Sequence, residues 1–142
     1  MTVPGDFLRA SRDLERFLVD ARDQLGHATT NQSWQSVLAV FVTFRARLSV
    51  AQTVAFAQAL PAILGAMFLL GWRPGEAQKP FASRAELAKE AMAFRTDHSI
   101  LPESGIADVA AALWRHVDRD AFRRMLDALP PEARAFWAVP DG

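Results

Sequence analysis

The sequence predicts an all-α protein, a compact helical bundle built from two diverged four-helix repeats. Apolar residues recur at helical spacing in several segments, and no segment alternates apolar and polar residues over the length of a strand. Residues 33–70 can be laid over residues 102–139 without gaps, so that large apolar residues and a proline keep their places. The overlay pairs Phe44 with Leu113, Phe56 with Met125 and Phe68 with Trp137.

The composition is that of one globular domain covering residues 1–142. Hydrophobic residues make up 51% and charged residues 23% of the chain. The 16 basic residues balance 16 acidic ones, which removes the simplest reason to expect nucleic acid or an anionic membrane as a partner. The absence of cysteine excludes disulfides and thiolate chemistry. Charged residues from Asp6 to Arg16 interrupt the region where a secretory signal would be apolar, so we expect a cytoplasmic protein.

Apolar stripes indicate the first two helices of the first repeat and the second helix of the second repeat. One stripe ends before Gly26, a residue typical of a helix C-terminus, and its members are Leu14, Phe17, Leu18, Ala21 and Leu25. The next comprises Val37, Val40, Phe41, Phe44 and Leu48. The second repeat has a matching stripe of Ile106, Val109, Ala110, Leu113 and Val117. Each spacing predicts one buried helix face.

Capping residues mark where further helices begin. Ser49 with Gln52, and Ser83 with Glu86, have the spacing of a capping box, in which each side chain binds the other residue's backbone amide. Asp118 is suited to the N-cap of the equivalent helix in the second repeat. We therefore expect helices to start directly after these three caps.

Two prolines divide the rest of each repeat. Because a proline inside a helix costs about 3 kcal/mol, Pro61 and Pro130 predict that one helix ends before each of them and another begins there. Turn residues are dense only between positions 71 and 80. This segment is the predicted linker between modules covering about residues 6–72 and 80–139.

Residues 48–72, between Arg47 and Arg73, contain no charge and are long enough to span a bilayer. The matching segment of the second repeat, residues 117–139, carries eight charged residues, each of which would cost about 2.5–3.5 kcal/mol near a bilayer centre. We therefore expect no membrane helix in either repeat. The segment AILGAMFLL, residues 62–70, is apolar on all sides, which predicts a fourth helix buried all round. We expect it to lie between the two modules, the alternative being a homodimer interface.

Several short motifs resemble a bacterial family, the domain-of-unknown-function family numbered 2267. They are Arg47-Leu48, Ala59-Leu60-Pro61, Gly71-Trp72-Arg73-Pro74, Leu129-Pro130 and Trp137. The resemblance covers most of the chain and implies an all-helical bundle of two related halves. It implies no particular activity. Residues 94–105 depart from the family pattern, which leaves the start of one helix open.

Three groups of polar residues could be read as sites, but each has a simpler interpretation. The run His116, Asp118, Asp120 resembles hard-metal ligands, although Asp118 is better placed as a helix cap and Asp120 beside a helix N-terminus. The run Thr96-Asp97-His98-Ser99 is best interpreted as a solvated loop. The cluster Arg115, Arg119, Arg123 and Arg124 lies among acids, which favours local ion pairs over phosphate binding. His27 lies near no second histidine with metal-ligand spacing. The sequence thus predicts no catalytic, cofactor or metal site.

Trp72 and Arg73 are the predicted partner-binding residues, because an aromatic ring beside a guanidinium on a loop is suited to anchoring another protein. The alternative is structural: Trp72 would pack into the module seam and Arg73 would reach a helix C-terminus.

The leading functional hypothesis is a non-enzymatic interaction or scaffold module that binds an unknown protein near the module seam, as a monomer or homodimer, without nucleic acid, membrane or cofactor. One alternative is a bundle binding a small ligand in a pocket lined by Phe41, Phe44, Met67, Phe68 or Trp114. The other is an enzyme with its site at the seam.

Overall fold

The computed structural model describes residues 3–94 and 100–140, which form eight helices and no strand. The all-α prediction is confirmed. The helices are α1 (Gly5–Leu25), α2 (Thr30–Arg45), α3 (Val50–Gln58), α4 (Ala62–Phe68), α5 (Arg84–Met92), α6 (Gly105–Trp114), α7 (Arg119–Asp127) and α8 (Pro131–Phe136). None of these helices is both long and apolar enough to cross a bilayer.

The turn between α1 and α2 is defined by local chemistry. Gly26 ends α1 in the left-handed conformation with φ of 73°, as predicted, and the next amide donates to the carbonyl of Arg22. Thr29 and Gln32 then form a reciprocal capping box that starts α2 and was not among the predicted caps. The helix ends at Arg45. Leu48 is buried, but it lies in the loop after α2 and not in the helix, where its spacing had placed it.

The predicted starts of the later helices are found where their caps lie. Ser49 and Gln52 make the full capping box of α3, and the Ser83 hydroxyl accepts from the amide of Glu86 at the start of α5. The Asp118 carboxylate accepts from the amide of Ala121 at the start of α7. Pro61 and Pro130 precede α4 and α8 as N-cap residues, which confirms the helix break at each proline.

The two halves of the chain share one hydrophobic core. Helix α1 packs against α2 and α6, while α2 also packs against α5 and α6. The centre of the core is a group of aromatic rings around Trp137, which stacks on Phe56 with 5.5 Å between ring centroids. Trp137 comes from the second half and Phe56 from the first. The indole Nε1 of Trp114 donates to the carbonyl of Trp137 over 2.7 Å and so holds the chain end on α6.

Helix α4 differs from its prediction. Only Leu64, Gly65 and Phe68 are buried, whereas Leu70, just after the helix, is 63% exposed. Its main packing partners, α1, α2 and α3, all belong to the first half. The expectation that α4 is buried all round between the modules is therefore wrong. Hydrophobicity on every side of a helix permits such burial, but here the second half packs against α1 and α2 and leaves α4 outside.

The helix bounds are compatible with the repeat. Helices α3 and α7 each contain nine residues and begin 69 positions apart, at Val50 and Arg119. Helix α1 has 21 residues while α5 has nine, so the first elements of the two halves differ. The predicted linker, residues 71–80, contains no helix. The repeat and the division into modules stay predictions.

Candidate functional site

A cleft of about 180 Å³ lies where the linker passes the end of α2 and the start of α3. We call it the linker cleft. Its lining residues are Val42, Arg45, Ala46, Leu48, Val50, Trp72, Arg73, Pro74, Glu76, Ala77, Gln78 and Lys79. All of them come from the first half and the linker. The predicted pair Trp72 and Arg73 therefore lies in a real depression, but that depression is not at the seam between the halves.

Three hydrogen bonds hold the linker against the loop between α2 and α3. The amide of Lys79 donates to the carbonyl of Ala46 over 2.9 Å, and the side-chain amide of Gln78 donates to the carbonyl of Arg47 over 2.9 Å. The Nε of Arg47 donates a third hydrogen bond, to the carbonyl of Pro80. These three bonds close the far side of the cleft and define the path of residues 78–80.

Arg47 is the buried centre of this arrangement. Its residue exposure is only 5%, and its guanidinium forms a two-point ion pair with Glu90 of α5, with 2.7 Å between Nη2 and Oε1. It also donates to the carbonyl of Thr43 over 2.9 Å. Hydrogen bonding to Arg47 lowers the pKa of Glu90 below its usual value, against the opposing effect of burial. One side chain thus joins α2, the linker and α5.

Arg45 forms the wall of the cleft nearest α4. Its Nη1 donates to the carbonyls of Phe68 and Leu70, over 2.8 Å and 2.9 Å, where the last turn of α4 leaves carbonyl groups without helix partners. Burial lowers the pKa of the Arg45 guanidinium, and the charge of Glu76 opposes this. Arg45 still carries its charge at neutral pH, because a guanidinium does not lose its proton in proteins. This residue, not Arg73, reaches the helix C-terminus.

Trp72 and Arg73 follow a tight turn at the end of α4. Gly71 has a φ of 73°, and the amide of Trp72 donates to the carbonyl of Leu69 over 3.0 Å. The side chain of Trp72 is half-buried against the cleft, whereas Arg73 is exposed and has no ion-pair partner among the described residues. An aromatic surface and an available guanidinium therefore lie side by side.

Arg45, Glu76 and Lys79 also line the cleft, although they were not among the predicted site residues. A usable signal was present: Arg45, Arg47 and Arg73 flank the long uncharged segment. Charges placed at both ends of an apolar segment come together when that segment folds back as a helical hairpin. The Arg47-Leu48 pair was noted only as part of a family motif.

The sequence pattern of a protein family described as "Uncharacterized conserved protein (DUF2267)" matches residues 14–136. The chain belongs to this family. No curated protein matches the chain. The matched range contains the whole linker cleft and all helices except the first nine residues of α1, so the predicted resemblance is confirmed. The cleft is thus part of the family domain and not an addition to it.

A second polar cluster in this family member joins α1 to the loop after α6. Arg115 binds both oxygens of Asp20 over 2.7 and 2.8 Å, and the Nε2 of His116 lies 2.8 Å from Oδ2 of the same carboxylate. Hydrogen bonds from Arg115 lower the pKa of Asp20, with His116 contributing in the same direction and burial opposing it. No serine or threonine hydroxyl takes part in these hydrogen bonds among the described residues, so the cluster has no hydroxyl nucleophile. It fastens two elements that are far apart in sequence.

The other polar candidates take structural roles. Asp118 caps α7 while His116 binds Asp20, so the two side chains are committed to separate partners. His27 binds the buried hydroxyl of Ser36, with 2.8 Å between Nε2 and Oγ. Among residues 3–94 and 100–140, no three acidic, histidine or cysteine side chains form a group able to hold a metal ion. The run from Thr96 to Ser99 lies outside the described residues.

The arginine cluster is only partly as predicted. Arg123 lies 3.9 Å from Asp120 on the same helix, in agreement with a local ion pair. Arg115, in contrast, pairs with Asp20, 95 positions away. The guanidinium of Arg119 lies over the ring of Trp114, 5.1 Å from its centroid. The prediction of local pairs is therefore wrong for Arg115, because the fold brings α1 closer to it than the acids of α7.

The side chains proposed to line a ligand pocket are mostly packed in the core. Phe41, Phe44 and Phe68 are fully buried, and the rings of Phe41 and Phe68 meet edge to face with 5.2 Å between centroids. Trp114 meets Phe122 in the same way at 4.8 Å. These rings fill the space between the helices with each other. These residues therefore do not support a ligand pocket between the helices. The linker cleft at the surface is the better supported site.

Proposed function

We propose that this protein is a non-enzymatic interaction module that binds a segment of a partner protein in the linker cleft. The observation that carries the proposal is the placement of Trp72, half-buried along the cleft, beside the exposed Arg73, which forms no ion pair within the described part of the chain. Tryptophan and arginine are the residues most enriched among those that dominate protein interfaces. A ring held at the surface can cover a partner's apolar side chain with little loss of conformational freedom.

The chemistry of the lining defines the kind of segment that fits. Leu48, Val50 and Trp72 provide apolar surface, while Arg45, Arg73 and Lys79 provide three positive charges against the single carboxylate of Glu76. A chain that presents an apolar side chain followed by a carboxylate would find a partner for each. We expect the guanidinium of Arg73 to bind the carboxylate, because Arg45 is already engaged by two carbonyls.

The cleft is pre-organised for this role. Three hydrogen bonds hold residues 78–80 on the loop between α2 and α3, and Arg45 holds the end of α4. Ordering a flexible binding loop would otherwise lower the affinity. The volume of about 180 Å³ is below the 300–1,000 Å³ typical of sites that enclose a whole small molecule, and it suits one or two side chains of a partner.

The lining also disfavours the enzyme alternative at this place. It contains no serine, threonine, cysteine or histidine, so a hydroxyl or thiol nucleophile paired with an imidazole base is missing from the cleft, and Glu76 and Lys79 would have to supply any acid–base chemistry there. Arginine, lysine and tryptophan side chains can hold a partner without reacting with it. Binding is the function that this set of groups supports best.

Affinity capture from a lysate of the native host tests the proposal. The tagged wild-type protein is compared with the double variant Trp72→Ala, Arg73→Ala and with a matched control, Trp34→Ala, Arg124→Ala, which removes the same two residue types from other faces of the bundle. We expect a stoichiometric partner with the wild type and the control that is lost with the cleft variant. Circular dichroism confirms that all three are folded.

Three results would contradict the proposal. A partner retained equally by the cleft variant would show that binding uses another surface. Failure of the wild type to capture any partner under several growth conditions would count against an interaction module altogether. A partner lost with both double variants would mean that general stability, and not the cleft, controls binding.

A further inference from the structure

Helix α7 shows how this chain treats a helix face that meets water. Its inner positions, Phe122 and Leu126, are buried. Its outer positions are all charged, and they are Arg119, Asp120, Arg123, Arg124 and Asp127. Charged side chains on the outer face keep a helix solvated and prevent association through it.

Helix α3 has the same length, and its buried Thr53 and Ala57 correspond to Phe122 and Leu126, but its outer face is uncharged. Position for position, 69 residues earlier, the exposed residues are Val50, Ala51, Val54, Ala55 and Gln58. Two of these are branched apolar residues with considerable exposure, 49% for Val50 and 37% for Val54. Five charges on one helix are thus replaced by four apolar residues and one amide on the other.

The uncharged surface continues onto α4, which packs directly against α3. Gly65 lies so close to the carbonyl of Ala57 that a Cβ would be 2.5 Å from the oxygen, so the two helices form one unit. The outer side of α4 and the residues after it add exposed Ala62, Ala66 and Leu70. No charged residue occurs between Arg47 and Arg73. We call these outer faces of α3 and α4 together the α3–α4 surface.

We propose that the α3–α4 surface is covered by the same surface of a second copy of this chain, related by a two-fold axis. A two-fold contact places a patch against itself, so any charge on it would face a like charge or need a built-in partner. This surface carries no charge and meets that condition without further adjustment. The chain as a whole has 16 basic and 16 acidic residues, so two copies do not repel each other as bodies.

The same lack of charge argues against a dedicated foreign partner at this place. Discrimination between partners, and rapid encounter with the right one, depend on complementary charges that the α3–α4 surface does not have. Its neighbour, the linker cleft, does carry such charges and is the site proposed above for a different protein. Val50 belongs to both the α3–α4 surface and the cleft, but Ala55 lies outside the cleft lining, so a variant at Ala55 tests self-association separately from the proposal for the cleft.

The size of the surface limits the affinity that we expect for the dimer. A stable interface contains roughly 20–30 residues on each side. Two short helices, α3 with nine residues and α4 with seven, contribute fewer than that. We therefore expect a reversible dimer whose population rises with protein concentration, and not an obligate one.

Sedimentation equilibrium of purified protein over a wide concentration range tests the inference, with Ala55→Asp as the test variant and Arg124→Asp as its control. Ala55 and Arg124 are exposed and occupy the same place on α3 and α7, so the same carboxylate is introduced at equivalent positions. We expect a monomer–dimer equilibrium for the wild type, a dissociation constant raised at least about tenfold by Ala55→Asp, and no change with Arg124→Asp.

A strictly monomeric wild type at high concentration would overturn the inference. So would a dimer that Ala55→Asp leaves intact, or one that both variants weaken equally. The absence of cysteine allows a second measurement that adds no charge. The maleimide reaction of an Ala55→Cys variant should become slower as protein concentration rises, whereas that of Arg124→Cys should not. Equal rates at every concentration would contradict burial of α3.

Discussion

Arg47 forms a two-point ion pair with Glu90, and this contact joins the loop between α2 and α3 to α5 in the other half of the chain. The guanidinium is almost completely buried, and its remaining donors bind the carbonyls of Thr43 and Pro80. A charge in such a place is tolerated because four of its five N–H groups have acceptors, two of them on a carboxylate. The first half, the linker and the second half therefore depend on one side chain.

Removal of that side chain should be strongly destabilising. Replacement Arg47→Ala deprives Glu90 of its partner and removes the donor from the buried carbonyl of Thr43. Because the Glu90 side chain is 39% exposed and water can solvate it, we expect the free energy of unfolding to fall by about 2 kcal/mol. Urea denaturation followed by circular dichroism measures the change. Arg124→Ala, on the exposed face of α7, is the control and should stay within about 0.5 kcal/mol. A loss below about 1 kcal/mol for Arg47→Ala would show that the pair adds little.

Gly65 allows α4 to approach α3. A Cβ at this position would lie 2.5 Å from the carbonyl oxygen of Ala57, so Gly65→Ala forces the two helices apart. We expect a net loss of about 2 kcal/mol in unfolding free energy, although alanine favours a helix over glycine. Gly75→Ala is the control, because nothing lies within 4 Å of a Cβ there. If Gly65→Ala stabilised the protein, helix propensity would outweigh the packing.

His27 should make stability depend on pH near neutrality. Burial lowers the pKa of its imidazole below the ordinary value of 6.5, and the charge of Asp108 only partly opposes this. As pH falls below 6.5, the unfolded chain binds the proton before the folded one does, so the free energy of unfolding decreases. Denaturation at about pH 7.5 and about pH 5.5 should show a smaller loss for His27→Gln than for the wild type. An equal loss would exclude His27 as the cause.

Asp20 should contribute in the acid range. Its hydrogen bonds with Arg115 keep its pKa below 3.8, so its stabilising effect is present above that value and is lost as pH falls through the lower, folded-state pKa. The difference in stability between the wild type and Asp20→Asn should therefore be largest near neutral pH and should shrink as the solution becomes strongly acidic. Urea titrations at several pH values measure it. A difference that does not change with pH would mean that packing, and not charge, is responsible.

Much of the local structure could be read from short stretches of sequence. The caps Ser49 and Asp118 start α3 and α7 where their spacing predicted, and Pro61 and Pro130 separate helices as expected. These features act within a few residues of themselves. A hydroxyl binds an amide three positions on, and a proline excludes a helix at its own position, whatever the rest of the chain does.

The candidate site was only partly visible in the sequence. Trp72 and Arg73 could be chosen because an aromatic and a guanidinium stood together in a turn-rich segment. Arg45 was signalled only by its place before the uncharged segment, because its nearness to Trp72 arises when the linker folds back over the end of α2. Glu76 and Lys79 lie in the same linker as Trp72, but no motif set them apart from its other polar residues. The sequence also placed the site at the seam, whereas the cleft belongs to the first half and the linker.

The sequence by itself determined the helical class of the protein, the helix breaks and the inward-facing apolar stripes, since periodicity, caps and prolines act over distances of one or two turns. Only the tertiary structure decided that Arg47 meets Glu90, that Arg115 meets Asp20 and not its neighbours, and that α4 stays on the outside. Such pairings depend on how whole helices pack against one another. Many arrangements bury the same apolar stripes, and the stripes do not state which helix covers which.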